Sequence, residues 1–246
     1  MTEKRQLAIV MPVYNEEKCI AGSLSAWIEV LAQLNVDYEF HVVNDGSTDG
    51  TGKVLAQFRA DERIKVLDKA NSGHGPAILA GYNIAIDRAS WLFQTDSDME
   101  IAASHFVDMW RNKDGYDAVM GIRIGRQQAI SRKLISALSR ICVRWLYAPG
   151  VIDVNVPYRL MHADILRPIL PTLPKDTFAP NIIISGVLSL EEARILNCPV
   201  IHSGRKTGLA SLIRWRMWKA AWRSFLQLVK FRLRYRRRSL VCPGPG

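Results

Sequence analysis

The sequence predicts an α/β fold: a mostly parallel sheet flanked by helices, with basic amphipathic helices at the carboxyl-terminal end. Two observations favour the sheet. Short apolar runs alternate with helical periodicity along the first hundred residues, and clusters of polar residues follow several of those runs. The chain has 246 residues, of which 48% are hydrophobic, enough for one large core.

The amino-terminal part alternates strands and helices. A continuous run of branched apolar residues from Leu7 to Val13 is typical of a strand covered on both faces. Apolar residues then recur at helical spacing from Cys19 to Leu34. The same reading predicts further strands at Tyr38–Val43, Ile64–Leu67, Trp91–Gln94 and Ala118–Met120, and further helices at Lys53–Arg59 and Ala77–Ile86. The carboxyl ends of parallel strands share one edge, so the polar clusters should line one rim.

The most informative polar cluster contains Asp96 and Asp98, which follow the strand ending near Gln94. If extended backbone continues past Phe93, these two carboxylates point the same way and Ser97 points the other way. Mg²⁺ and Mn²⁺ prefer oxygen ligands, and Mg²⁺ commonly takes one or two carboxylates while a phosphorylated substrate and water complete its shell. The pair therefore predicts a divalent cation that binds a diphosphate. The alternative is a solvated loop that happens to be acidic.

The net charge of +10 comes from one segment of the chain. Residues 204–238 contain 12 Lys and Arg and no acid, which leaves 21 basic and 23 acidic residues elsewhere. We therefore expect one folded domain over residues 1–204, a basic amphipathic segment over 205–238 and a flexible tail over 239–246.

The basic segment predicts helices that lie on a membrane. Its apolar residues fall on one helical stripe and its cations line a flank, the pattern of a helix in an anionic interface; the stripe comprises Trp215, Trp218, Trp222, Phe225, Leu226, Val229 and Leu233. Two alternatives are packing of the stripe as core and binding of nucleic acid by the arginine-rich end. The apolar stripe argues against nucleic acid, because contacts with its phosphates need charge, so we expect none as a partner.

The cysteines and the apolar runs indicate a cytoplasmic protein at the membrane surface. The four cysteines lie far apart and form no CxxC pair, as is typical of reduced thiols. The amino terminus lacks the apolar core of a secretory signal. The longest uncharged run in the second half, Thr177–Leu190, is too short for a spanning helix. We therefore expect a peripheral protein on the cytoplasmic face of the membrane.

Four motifs together resemble a known enzyme family. They are VMPVYNEE from Val10, VNDGSTDGT from Val43, NSGHGPAILAGYNIA from Asn71 and DSD from Asp96. In this order and spacing they resemble the family 2 glycosyltransferases of GT-A fold, which have a Rossmann-like sheet. The spacing is most similar to that of dolichol-phosphate mannose synthases and bacterial polyprenyl-phosphate glycosyltransferases. The resemblance covers about residues 7–210.

The resemblance implies a site for a UDP- or GDP-sugar. Residues matching the family's donor motifs would hold the nucleoside, its ribose and its diphosphate: Pro12, Tyr14, Glu16, Asp45, Gly75, Asp96, Ser97 and Asp98. The metal, Mg²⁺ or Mn²⁺, would be bound by Asp96, Asp98 and Glu100. Family members often have Gln at position 100 and Asp at position 44, where this chain has Glu and Asn.

The acceptor is expected to be a polyprenyl phosphate, either dolichyl or undecaprenyl. Arg123 lies in a Gly-x-Arg motif after a strand, and Arg132 and Ser136 share one helical face. Guanidinium groups suit phosphate because their planar fork of donors matches its oxygens. In the resembled family the matching positions bind the lipid phosphate. The alternative is a basic face in contact with solvent.

A phosphate acceptor would remove the need for a strong base. A phosphate monoester is already largely dianionic at neutral pH, so its oxygen can attack the anomeric carbon directly and invert it. If the acceptor is instead a saccharide hydroxyl, Asp153 is the expected base.

Pro157 and Tyr158 stand where mannose synthases usually have Gly and Phe. Arg205 would either close over the diphosphate or belong to a plain basic linker. A further alternative is an inactive GT-A module that only binds membranes.

Overall fold

A computed structural model describes residues 4–125, 137, 140–147, 149–203 and 214–241, with side chains for 222–235 of the last range. Seven strands form one sheet in the order β3-β2-β1-β4-β6-β5-β7. The strands are β1 (Arg5–Val13), β2 (Tyr38–Asp45), β3 (Ile64–Lys69), β4 (Ala89–Thr95), β5 (Ala118–Ile124), β6 (Tyr158–His162) and β7 (Ile195–Ile201). Only β6 is antiparallel to its neighbours, β4 and β5. The predicted α/β class with a mostly parallel sheet is confirmed.

Helices cover both faces of the sheet. They are α1 (Ile20–Leu34), α2 (Thr51–Phe58), α3 (His74–Ala85), α4 (His105–Arg111), α5 (residues 140–146), α6 (Ala163–Leu166), α7 (Pro180–Leu190) and α8 (Arg214–Val241), with a 3₁₀ turn at Leu170–Thr172. The predicted strands β1 to β5 and helices α1 to α3 are present, with ends shifted by a few residues. The sequence did not predict β6 and β7.

Two apolar clusters form the core, one on each face of the sheet. On one face, α1 and α4 pack aromatic side chains against the sheet, where Phe93 contacts Phe106 and Tyr158 with ring centroids 4.7 and 4.8 Å apart. On the other face, α3 and α7 pack beside the fully buried Tyr82. Both faces are apolar, which is why β1 and β4 have no polar alternation.

Helix α8 packs partly onto the second cluster. Leu228 and Phe231 are buried there, and the Tyr147 hydroxyl donates to the Leu228 carbonyl at 3.1 Å. Neither Leu228 nor Phe231 belongs to the predicted stripe, of which Trp222, Leu226 and Leu233 are exposed and Phe225 and Val229 are partly buried. Helix α8 therefore packs on the domain through residues outside the predicted stripe. None of the helices that the structure describes is long and apolar enough to cross a bilayer.

Candidate functional site

The loops after β1 and β2 are joined by hydrogen bonds at the carboxyl rim of the sheet. Asn15 adopts a left-handed conformation, with φ of 55°. Its backbone N–H donates to Ser47 Oγ at 3.0 Å, and its side-chain oxygen accepts from the Thr48 N–H at 2.8 Å. The Glu16 N–H donates to Thr51 Oγ1 at 2.9 Å. Ser47 and Thr48 therefore act as structural turn residues that fix Tyr14 and Glu16 at the rim.

Asp45 connects the end of β2 to the loop before α3. Its carboxylate is 3% exposed and accepts from the N–H groups of Ser72 at 3.0 Å and Gly73 at 2.8 Å, as well as from Lys69. Burial alone raises the pKa of Asp45, but the hydrogen bonds from Lys69, Ser72 and Gly73 outweigh it and lower the net pKa. Asp45 is therefore ionised and holds the loop that leads into α3.

A cavity of about 410 Å³ at this rim brings most of the predicted donor-site residues together. Those on its lining are Pro12, Tyr14, Glu16, Asp45, Asp96, Ser97 and Asp98. We call it the donor cavity. Gly75 lies outside this lining, on a neighbouring cleft.

The strand β4 continues past Phe93 but ends at Thr95, before the two aspartates, so the strand alternation that would point both carboxylates the same way does not reach them. Asp96, Ser97 and Asp98 lie in the bend that follows, and all three line the donor cavity. Burial, and then the neighbouring Asp98 carboxylate, raise the pKa of Asp96 well above its usual value. Asp96 Oδ1 is buried and accepts no hydrogen bond from the described residues. Two close carboxylates whose charges repel each other are a favourable place for a divalent cation.

A residue that the sequence analysis did not assign, His202, lies beside the acidic loop. Its Nε2 is 2.8 Å from Glu100 Oε2, and an isolated bridge pairs it with Ile101. Asp98, Glu100, Arg123 and His202 line one small cavity of about 110 Å³. The contact joins residues that are distant in sequence, so no local pattern indicated it.

The acidic residues fit a cation shared with substrate better than one enclosed by protein. Within the described ranges, no three His, Cys, Asp or Glu side chains are grouped so that they could hold a metal ion. Mg²⁺ is commonly bound by one or two carboxylates, with phosphate oxygens and water supplying the rest. Asp96 and Asp98 line the donor cavity, whereas Glu100 lines the smaller cavity with them and pairs with His202.

A larger open cleft of about 1340 Å³ adjoins the donor cavity, and we call it the acceptor cleft. Arg123, Asn155 and Pro157 lie on its lining beside Asp96. Apolar residues of α3 and of the chain before α7 supply further walls, namely Ile78, Leu79, Leu170, Leu173 and Phe178. Lys175 and Arg223 add positive charge, while Asp176 on the same lining lies 3.9 Å from Arg223.

Arg123 and Asp153, predicted separately as a phosphate ligand and a possible base, form one ion pair. Arg123 Nε donates to Asp153 Oδ2 at 2.6 Å, and Nη2 donates to Oδ1 at 2.8 Å. The Arg123 side chain is 9% exposed and still reaches the cleft. Both oxygens of Asp153 face the guanidinium, so action as a base would require this bidentate pair to open.

A second arginine, Arg159, is completely buried beneath the same loop. Its guanidinium donates to the Val156 carbonyl at 2.8 and 3.0 Å and to the Asn181 carbonyl at 3.1 Å. Desolvation lowers the pKa of Arg159 to about 10, so it remains charged at neutral pH. Arg159 thus ties the loop carrying Asp153 and Asn155 to the start of α7.

Three predicted site residues, Arg132, Ser136 and Arg205, lie outside the described residues. Their assignments stay predictions. Among the described residues, most of the remaining candidates line the two adjoining cavities at one edge of the sheet, whereas Glu100 lines only the small cavity beside them and Asp153 contacts Arg123.

The fold and the two cavities define the class of protein: a GT-A fold with an acidic Asp-x-Asp loop at the carboxyl rim of its sheet. The chain belongs to glycosyl transferase family 2, whose family model matches residues 8–155. In a glucosyl-3-phosphoglycerate synthase from Mycobacterium tuberculosis, solved with Mn²⁺, UDP-glucose and glycerol 3-phosphate, the same fold covers 92% of this chain and 80% of that chain, at 17% identity and a TM-score of 0.64.

Two similar curated proteins are undecaprenyl-phosphate 4-deoxy-4-formamido-L-arabinose transferases. The protein from Aeromonas hydrophila is 28% identical over 216 residues, which cover 86% of this chain and 66% of the relative. The protein from Proteus mirabilis is 27% identical over 207 residues, which cover 82% of this chain and 61% of the relative. The chain thus spans less than two thirds of the length of these relatives.

Proposed function

We propose that this protein is an inverting glycosyltransferase that moves a sugar from a nucleotide sugar to a polyprenyl phosphate at a membrane surface. The observation that carries the proposal is the junction of the donor cavity with a cationic, apolar-walled cleft at Asp96. Transfer requires donor and acceptor to meet at one carbon atom, and these cavities meet beside the Asp-x-Asp loop. UDP is the favoured nucleotide, since the similar fold from Mycobacterium tuberculosis was solved with UDP-glucose.

The acceptor cleft suits an isoprenoid phosphate. Its apolar walls would bury hydrocarbon, while Arg123, Lys175 and Arg223 would attract a phosphate. The undecaprenyl-phosphate transferases to which the chain is similar support the same acceptor. A saccharide hydroxyl is less favoured because both Asp153 oxygens are taken up by Arg123.

In the proposed reaction, an oxygen of the lipid phosphate attacks the anomeric carbon from the face opposite the diphosphate. The new bond to oxygen forms as the bond to the diphosphate breaks, and configuration inverts. Arg123 would orient the phosphate, and the rim loops of Tyr14 and Asp45 would hold the nucleoside. A bound Mg²⁺ or Mn²⁺, held by Asp96, Asp98 and Glu100, would neutralise the departing diphosphate.

Membrane association is proposed through α8 together with α5. Trp222, Leu226 and Leu233 of α8 are exposed, and so is Trp145 of α5, at 90%. Arg140 and Arg144 flank Trp145 and are exposed as well. Exposed tryptophan beside arginine suits an interface of anionic lipid, where the ring lies among headgroups. The cytoplasmic face of the membrane is the proposed location.

The proposal is tested by measuring release of nucleoside diphosphate. We expect release from UDP-sugars only when undecaprenyl phosphate and Mg²⁺ or Mn²⁺ are both present. Asp98→Ala should lower the rate at least about 100-fold, and Arg132→Ala should also lower it. Asp114→Ala, at an exposed aspartate far from the rim, is the matched control. Full turnover in Asp98→Ala, or vesicle binding without any transfer by the wild-type chain, would contradict the proposal.

The saccharide alternative is separated from it by Asp153→Asn. A general base at Asp153 predicts that this variant loses transfer entirely. A phosphate acceptor predicts that transfer persists at a reduced rate, because the lipid phosphate is already ionised.

A further inference from the structure

We infer that His74 is a specificity-determining residue that contacts the sugar being transferred. The inference deepens the proposed function and rests on it. It begins from the residues that line the donor cavity and the acceptor cleft at once: Asn71, Gly73, His74 and Asp96. None of the motifs used to predict the donor site assigned a role to His74.

The transferred sugar must lie at this junction. Its anomeric carbon is bonded to the diphosphate on one side and is attacked by the acceptor oxygen from the other, with the reacting atoms about 3 Å apart. A nucleoside in the donor cavity and a phosphate in the acceptor cleft therefore place the sugar ring between the two. Side chains that line both cavities are those that can contact its hydroxyl groups.

The backbone around His74 is fixed on both sides. The preceding Gly73, with φ of 98°, donates its N–H to Asp45 at 2.8 Å. The following Gly75 lies so close to the chain before α7 that a Cβ there would overlap the carbonyl oxygens of Thr177 and Phe178. His74 is therefore held between two contacts that prevent its Cα from shifting, as a residue that selects among substrates requires.

The His74 side chain is polar and is exposed at the junction of the two cavities. It is 50% exposed, and its Nε2 lies 3.2 Å from Asp96 Oδ1. That oxygen is buried and accepts no hydrogen bond from the part of the chain that the structure describes. A neutral imidazole has one donor and one acceptor nitrogen. When Nε2 faces Asp96, Nδ1 is left to form a hydrogen bond with a sugar hydroxyl. The ring can then discriminate between sugars that are epimers at the carbon bearing that hydroxyl.

A purely structural role makes a different prediction. His74 is the first residue of α3, and a residue that only begins a helix would affect all ligands equally through the stability of the loop. A contact with the sugar affects nucleotide sugars and leaves the free nucleotide unchanged. The two roles are therefore distinguished by comparing UDP with UDP-sugars.

The test measures Kd by calorimetry with Mn²⁺ for UDP, UDP-glucose, UDP-galactose and UDP-N-acetylglucosamine, and for GDP and GDP-mannose. For His74→Ala we expect an unchanged Kd for the free nucleotide and about 3- to 10-fold weaker binding of the preferred nucleotide sugar. The preference between the epimers UDP-glucose and UDP-galactose should shrink by a similar factor. His74→Gln, which keeps a donor and an acceptor, should restore part of the preference. Asn112→Ala, at the exposed end of α4 and on the lining of neither cavity, is the control.

Two results overturn the inference. One is equal weakening of the free nucleotide and every nucleotide sugar in His74→Ala; the other is unaltered binding throughout. A wild-type chain that binds no nucleotide in the panel contradicts the proposed function, and the inference with it. If the wild type binds nucleotide sugars but the ratio of the Kd values for UDP-glucose and UDP-galactose is unaltered in His74→Ala, the inference alone is contradicted.

Discussion

The sheet divides beside β4 into two regions that are held together in different ways. The donor half, β3-β2-β1-β4, is entirely parallel, and short hydrogen bonds between neighbouring loops fix its rim. The acceptor half, β6-β5-β7, includes the antiparallel strand, and charged side chains organise its rim: Arg123 pairs with Asp153, and His202 with Glu100. Arg159 supports the same rim from below.

The difference shows how each half tolerates change. In the donor half many weak contacts together fix the loops at the rim, so the loss of one contact leaves the others in place. In the acceptor half a single buried guanidinium donates to the carbonyls of Val156 and Asn181, and to that of Val154, which also accepts from Ser185 Oγ. Unpaired buried polar groups cost far more than an average hydrogen bond contributes. Substitutions in the acceptor half should therefore have the larger effects on stability.

The largest expected effect is that of Arg159→Met. Methionine keeps part of the volume but removes every donor, so the buried Val156 carbonyl loses the two hydrogen bonds that it accepts from the guanidinium, and a cavity is left. We expect the free energy of unfolding to fall by about 3 to 5 kcal/mol. Urea denaturation followed by tryptophan fluorescence measures this loss. A loss below about 1 kcal/mol would show that water or another donor replaces the guanidinium.

The matched control is Arg194→Met in the same half. Arg194 forms a bidentate pair with Asp117, with bonds of 2.8 and 3.1 Å, but its side chain is 66% exposed. Water replaces exposed partners readily, and exposed ion pairs contribute little. The denaturation midpoint of Arg194→Met should stay near that of the wild type, although the removed charge is the same.

The two halves also differ in how far the sequence predicts them. The first four strands follow from unbroken apolar runs, and the loops that end them follow from local turn chemistry such as that of Asn15 and Asp45. Strand β6 contains a fully buried arginine, and the edge strand β7 contains Pro199, so neither matches the pattern of an ordinary strand. The contact between His202 and Glu100 depends on the completed fold. The two aspartates of the acidic loop could be recognised from the sequence, but the bend that follows Thr95 depends on tertiary structure.

A smaller effect is expected for Asp45→Asn in the donor half. In the wild type, the Asp45 carboxylate accepts hydrogen bonds from Lys69, Ser72 and Gly73. An asparagine amide nitrogen can only donate, so it would face at least one of these donors without forming a hydrogen bond. We expect a loss of about 2 kcal/mol in unfolding free energy, together with weaker UDP binding. Asp87→Asn, at an exposed ion pair with Arg167, is the control and should change neither. Unaltered UDP affinity in Asp45→Asn would show that the loop before α3 does not shape the donor cavity.

The smallest effect concerns the response of stability to acid at His41, which is buried near the middle of β2. Burial lowers the pKa of His41 to about 4, although Glu39 lies 3.1 Å away and opposes the shift. The unfolded chain, with a histidine pKa near 6.5, then binds a proton more readily than the folded chain, so stability is constant above about pH 6.5 and falls as the pH decreases toward 4. The loss attributable to His41 between pH 7 and pH 5 should be about 1 to 2 kcal/mol. Urea denaturation at a series of pH values measures it, with His41→Gln as the comparison. An equally steep decline in His41→Gln would assign the acid sensitivity to other groups, whereas a flatter decline would assign it to a buried residue within the sheet of the donor half.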